Sequence, residues 1–189
     1  MMAKATDTAE RIVAAAERRM RDGGFHGFSF REIAADVGVK SASVHHHFAT
    51  KQDLAAAAVR RYVDRHMSAL GDPDDPGRTP DELIVLYIDL FRHDLVKDCQ
   101  MCLCGVLASE AAALDSAVAR EVRVFFDRNR AWLEAVLKRV MPNARPGEIR
   151  GKALTATATL EGALLTAHCL GETEVFESVV VELAKILSG

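Results

Sequence analysis

Apolar residues recur along this chain with a helical period, and each run is stopped by glycine, proline or a capping residue. Ile12, Val13, Ala16 and Met20 fall on one face of a stretch from about Thr8 to Asp22, with Arg11, Arg18, Arg19 and Arg21 largely on the other. Gly23-Gly24 ends that helix. Phe30, Ile33, Ala34 and Val37 then repeat at i, i+3, i+4 and i+7, so a second, short helix is predicted, with Ser29 as N-cap and Glu32 closing a capping box. Gly38 stands where the chain must reverse, and Val39 and Val44 carry the apolar contact into a third short helix. Phe25, Phe28 and Phe30 are expected to fill the space among these helices. Thr50, with Asp53 three residues on, caps a fourth helix from Lys51 to about Leu70.

Residues 71–80, Gly-Asp-Pro-Asp-Asp-Pro-Gly-Arg-Thr-Pro, read as a turn or loop. Longer helical runs follow. They cover Asp81–Val96 (Leu83, Tyr87, Leu90 and Phe91 inward), Leu103–Leu114, and Val118–Met141, whose stripe runs Val122, Phe125, Phe126, Asn129, Leu133, Val136, Leu137, Val140. Pro142 and Pro146 frame the next break, before helices over Pro146–Leu170 and Glu174–Leu187. No alternating β-branched run occurs, so the chain is predicted to be all-α, with about nine helices. A head of residues 1–54 is followed by a body of residues 81–189, and the fourth helix (51–70) links them.

The third helix turns Lys40, Ser41, Ala42, Ser43, His45 and His46 away from the core. Small and hydrogen-bonding side chains on an outward face are what a helix needs to enter a DNA major groove. Thr50 and Lys51, at the start of the next helix, are placed to hold a backbone phosphate. The run Gly-Val-Lys-Ser-Ala-Ser-Val-His-His-His-Phe-Ala-Thr-Lys-Gln-Asp-Leu (38–54) resembles the DNA-binding signature of the TetR family of bacterial regulators. Gly38, Val39, Val44, His47, Phe48, Lys51 and Leu54 match it, and His45 departs from it, because tyrosine is usual there. The resemblance implies a homodimer that binds a palindromic operator in double-stranded DNA and responds to a small-molecule effector. Within the body, Tyr87, Phe91, Cys102, Phe125, Phe126, Asn129, Trp132 and His168 would line the effector pocket.

Charge changes the picture only once it is divided. The formal net charge is −3. Residues 1–66 hold eleven Lys/Arg against eight Asp/Glu and five of the seven histidines, while residues 67–189 hold thirteen against nineteen. A mildly basic head on an acidic body suits a DNA reader that works in pairs, with two heads spaced by about one turn of duplex, roughly 34–36 Å. Ala153, Ala156, Ala158, Gly162, Ala163 and Ala167 together with the broadly apolar last helix predict the twofold interface. No run of 18 apolar residues suggests a membrane span, and no apolar leader precedes the first helix, so a cytoplasmic protein is expected.

The cysteines leave two readings open. Cys99, Cys102 and Cys104 crowd together while Cys169 stands apart, and a single CxxC without a second pair is no zinc set. No cofactor or metal is implied. They are either small buried hydrophobes or sensor thiols, with Cys102 favoured by its place at a helix start. The run Cys102-Leu-Cys-Gly-Val-Leu-Ala-Ser-Glu110 also resembles a Cys-Leu-x-Gly-x-Leu-x-x-Glu element of one branch of the family, some of whose members sense electrophiles or oxidants through cysteine. The expected function is therefore a transcriptional regulator, a repressor released by a small-molecule or thiol-reactive effector, and not an enzyme. The alternative is a thiol-dependent enzyme using Cys99, Cys102 and Cys104. Against it, the chain has no phosphate loop, nucleophile elbow or paired acid–base motif.

Overall fold

The computed structural model describes residues 2–96, 100–110, 114 and 116–187, and among them every regular element is helical. In chain order these are α1 (Met2–Gly23), a 3-10 turn (Phe25–Gly27), α2 (Phe30–Val37), α3 (Ser41–His47), α4 (Lys51–Leu70), α5 (Pro80–Val96), α6 (Leu103–Ser109), α7 (Ser116–Val140), α8 (Pro146–Leu170) and α9 (Thr173–Leu187). The starts follow from capping chemistry. Thr50 Oγ1 accepts from Asp53 N–H at 3.1 Å while Thr50 N–H donates to the Asp53 carboxylate at 3.0 Å, so a complete capping box opens α4. Thr79 and Glu82 form the same box at α5. At α2 Glu32 accepts the Ser29 hydroxyl (2.7 Å) while its own N–H reaches Ser29 Oγ at 3.4 Å.

The helices divide into two compact units, Met1–Arg65 with Leu103–Phe125, and His66–Cys102 with Phe126–Gly189. Residues 103–125 thus cluster with the head, although they lie beyond the 71–80 loop in sequence. In the first unit Ile12, Ala16 and Met20 of α1, Ile33 of α2, Val44 of α3 and Leu54 of α4 are wholly buried. Side chains then lock α1 to its neighbours. Arg19 makes a two-pronged bond to Asp36 (2.5 and 3.0 Å), and Arg11 donates to the last carbonyl of α2 at Val37 (2.5 Å). The buried Glu17 carboxylate takes Arg61 and Arg65 of α4, each at 2.6 Å. Arg21, expected to face solvent, is buried instead, with its guanidinium 6.0 Å from the Tyr62 ring centre. Its stem and planar head pack as an apolar body would, which periodicity cannot distinguish from exposure.

In the second unit α5 packs against α8 and α9, and Tyr87, Phe91, Leu160, Leu164 and Phe176 are buried. Gly171 (φ +70°) turns the chain between α8 and α9. The helix expected over Leu103–Leu114 ends at Ser109, and residues 111–113 lie outside the described ones. A stop there frees Glu110, whose carboxylate accepts the Phe25 N–H at 2.9 Å.

Next to that bond the backbone itself calls for a glycine. Gly24 sits at φ +66°, ψ −165°, a region glycine alone occupies without strain, and a Cβ there would lie 2.0 Å from Glu110 Oε1. Gly38 is left-handed too (φ +73°) but has open space around it. Gly24→Ala should therefore cost about 3 kcal/mol and Gly38→Ala only about 1 kcal/mol. Urea unfolding of the two variants checks this, and equal losses would show that the Gly24 conformation carries no extra strain.

Candidate functional site

Helix α3 has seven residues, too few to be stable alone, so its orientation is set by what holds it. Val44 is the anchor, at 0% exposure. Behind it, Gly38 N–H and Val39 N–H bond back to the end of α2, and Phe48 N–H closes on the Val44 carbonyl at 2.9 Å. The residues this leaves outward are Lys40, Ser41, Ala42, His45 and His46, all exposed, with Ser43 half-buried. His45 sits edge-on to Phe30, ring centres 4.6 Å apart, so the imidazole fills part of the apolar role a tyrosine ring would have.

Thr50 is exposed, but its hydroxyl and its N–H are both engaged with Asp53. Lys51 is half-buried. Its ammonium lies 4.8 Å from the Phe25 ring centre and 4.5 Å from that of Phe28. Partial burial lowers the Lys51 pKa, with Glu32 and Glu110 pulling the other way. Both residues hold the start of α4, in addition to any contact with a phosphate.

Most of the residues expected around an effector lie inside the second unit. Tyr87 stacks on Trp132 (5.8 Å, 13°) and meets Phe91 at 5.3 Å. Asn129 is wholly buried, and its Oδ1 lies 2.9 Å from His66 Nε2. Cys102 is buried and Phe126 half-buried. Phe125 belongs to the first unit, packed on Tyr62 at 5.8 Å. His168 is a correction. It is exposed near the end of α8, because the buried face of that helix passes through Ala163, Leu164 and Ala167. An open groove of about 330 Å³ near the α7–α8 junction is lined by Glu134, Lys138, Pro142 and Ile149 among others and holds none of these residues. Of the cysteines, Cys102 and Cys104 are buried, Cys169 is exposed, and Cys99 lies outside the described residues. Among the described residues no cluster of His, Cys, Asp or Glu could hold a metal ion.

Sequence reasoning missed Glu161, Thr157 and His66. The Tyr87 hydroxyl lies 3.0 Å from Thr157 Oγ1, which itself donates to the Ala153 carbonyl at 3.1 Å. Desolvation and the nearby Glu161 push the Tyr87 pKa upward, against the Thr157 bond. Glu161, one turn beyond Thr157, has a partly exposed stem, yet neither carboxylate oxygen is exposed and neither accepts a regular hydrogen bond. Burial pushes its pKa up to about 7. The Cys102 thiol, a weak donor, acts against that shift and Asp94 adds to it. One signal was available, since Glu161 is the one Asp, Glu, Lys or Arg between Ala153 and Leu170.

A three-helix head that presents a short helix outward is the arrangement of helix-turn-helix DNA-binding proteins. Residues 12–58 match the family described as Bacterial regulatory proteins, tetR family. The whole chain has the fold of TetR-family transcriptional regulators. It is similar to such a regulator from Agrobacterium tumefaciens (29% identity, TM-score 0.89, covering 96% of this chain and 97% of that one). It is also similar to one from Legionella pneumophila (28% identity, TM-score 0.86, 93% and 95%). Escherichia coli NemR in its reduced form shares the fold at 21% identity and a TM-score of 0.78 (95% and 96%). No curated protein matches the chain. No described helix is long and apolar enough to cross a membrane.

The raised Glu161 pKa fixes the sign of a pH effect. Between about pH 4.5 and 7 the unfolded chain releases this proton while the folded chain keeps it, so folding stability falls as pH rises through that window. The loss at pH 8 is at most on the order of 3 kcal/mol. Glu161→Gln should remove it, raising the melting temperature at pH 8 and leaving it nearly unchanged at pH 4. An equal shift at both pH values would mean that the carboxyl is ionised and compensated in the fold.

Proposed function

We propose that this protein is a transcriptional repressor that binds a palindromic operator as a homodimer and is released by an effector held in its body. The observation that carries this reading is the exposed face of α3, Lys40, Ser41, Ala42, His45 and His46, set on a helix whose opposite side is fixed by the buried Val44. Ser41, Ser43 and His45 would meet base edges or the sugar–phosphate backbone, and Thr50 and Lys51 would hold phosphates on its flank. The twofold interface is proposed along α8 and α9. Leu154, Leu165, Leu170, Val181 and Ile186 there are 44–61% exposed, and Gly162 offers open space for a close approach. Two heads joined in this way read two half-sites, which offsets the weak positive charge of each.

Release requires the bound and free forms to differ in the separation of the two heads, with the effector favouring the spacing that does not fit the operator. The buried state of Cys102 favours a small molecule over a thiol-reactive trigger, because a thiol 1% exposed is out of reach of a reagent in solution. A cytoplasmic location follows from this role.

Selection of genomic fragments with the purified protein, followed by a gel shift on the enriched sequence, tests the reading. Salt-sensitive binding to a recovered palindrome is expected, and no enrichment over background would overturn it. Lys51→Ala should flatten the slope of log affinity against log salt by about 1, which a purely structural role for its ammonium would not do. Leu165→Glu should give a monomer on light scattering and weaken operator binding by at least about tenfold. A dimer that persists with unchanged affinity would move the interface elsewhere. Cys102→Ser should leave oxidant-induced release unchanged if the thiol only packs, and abolish it if the thiol is the trigger.

A further inference from the structure

Glu161 is placed the reverse of how a helix normally carries a carboxylate. Long charged side chains bury their stems and keep the charged head in water. Here the stem is partly exposed while both oxygens are sealed. An unpaired buried carboxyl is costly, and Gln or Leu would fit the same stretch of α8 without that cost. Sequence Ala153–Leu170 is otherwise built from Ala, Leu, Thr and Gly with one His and one Cys.

The groups gathered around this carboxyl are short of donors. Because the Thr157 hydroxyl hydrogen goes to the Ala153 carbonyl, the Tyr87 hydroxyl spends its own hydrogen on Thr157 Oγ1, and only lone pairs remain on the phenolic oxygen. The Cys102 thiol is a weak donor. Asp94, the charged side chain that acts on Glu161, is itself a carboxylate. Among the described residues no Lys, Arg or His reaches either Glu161 oxygen. Beside these acceptors stand the stacked rings of Tyr87 and Trp132 and the ring of Phe91. A locus with a buried carboxyl whose one donor is a weak thiol, a second carboxylate, a phenolic acceptor and aromatic faces lacks a positive charge bearing N–H groups.

We propose that Glu161, with Tyr87 and the Trp132 stack, is the recognition point for an organic cation, a protonated amine or amidine attached to an apolar or aromatic body. Its N–H groups would bond to the Glu161 oxygens, and its charge would face the rings. An anionic ligand would meet Glu161 and Asp94 of its own sign. A neutral ligand would gain the hydrogen bonds without the charge. Naming this cation the effector rests on the repressor reading above, but its binding does not.

The single tryptophan of the chain stacks on Tyr87, so its emission reports this locus directly. Titrating the DNA-free full-length protein with benzamidinium and 2-phenylethylammonium, against benzamide and 2-phenylethanol as neutral counterparts, tests the proposal. A saturable change in Trp132 emission is expected with at least one cation. Its neutral counterpart, and the same cation on Glu161→Gln, should each bind at least about tenfold more weakly. Equal binding of cation and counterpart, or equal binding to Glu161→Gln, overturns the assignment. So does no saturable response to either cation up to roughly 5 mM, the weak end for so small a ligand. Should Glu161→Gln not fold, Glu161→Asp replaces it, keeping the charge one methylene shorter. Weakened cation binding then supports the site, and unchanged binding overturns it. Operator selection is read without ligand and this titration without DNA, so either can fail without the other.

Discussion

A seven-residue helix has no stability of its own, and the architecture of the head answers that constraint. Forming a first helical turn is unfavourable, and α3 ends before propagation can compensate. Its geometry must be imposed by neighbours. Val44 is inserted into the core, the Gly38 turn ties the start of α3 to the end of α2, and Phe48 closes the last turn. A second tier then fixes α2. Arg11 and Arg19 of α1 hold its C-terminal half, and the Asp36 carboxyl is kept below its ordinary pKa by the Arg19 bond. A third tier, Glu17 with Arg61 and Arg65, ties α1 to α4. The exposed face of α3 is thereby rigid in placement.

Rigid placement extends to Lys51. An ammonium at the first turn of a helix opposes the helix dipole and costs stability. Two aromatic faces, Phe25 and Phe28, offset that cost, and the Thr50–Asp53 box satisfies the helix start without any ligand. The positive charge is held in place by its surroundings instead of riding on a mobile chain. Glu110 has a comparable part. A residue at the end of the Cys-Leu-x-Gly-x-Leu-x-x-Glu run reaches the backbone of Phe25, inside the unit that contains α3.

The second unit shows the opposite economy. Its aromatic groups are packed and satisfied, with Trp132 donating to the Gly71 carbonyl (2.9 Å) and Asn129 paired with His66, while Glu161 stays unsatisfied. Its ionised form costs stability above about pH 7, and such tension is the usual mark of a group retained for binding.

Hydrophobic period, glycine placement and capping residues determined the helices of this chain nearly end to end. Each of those signals is local, set by side chains within one or two turns of each other. Exposure of the α3 face was legible for the same reason, because one anchored residue, Val44, leaves the other sides outward. What needed the tertiary structure were the contacts between residues far apart in sequence. Arg21 went inward because Tyr62 lies beside it, α6 joined the head through Glu110, and His168 fell outside the buried face of α8. The sealed carboxyl of Glu161 is the clearest case. Its lone charge was visible in the sequence, but a partly exposed helix position is compatible with a head turned to either side, and only the packing of Tyr87, Thr157 and Cys102 decided that it points inward.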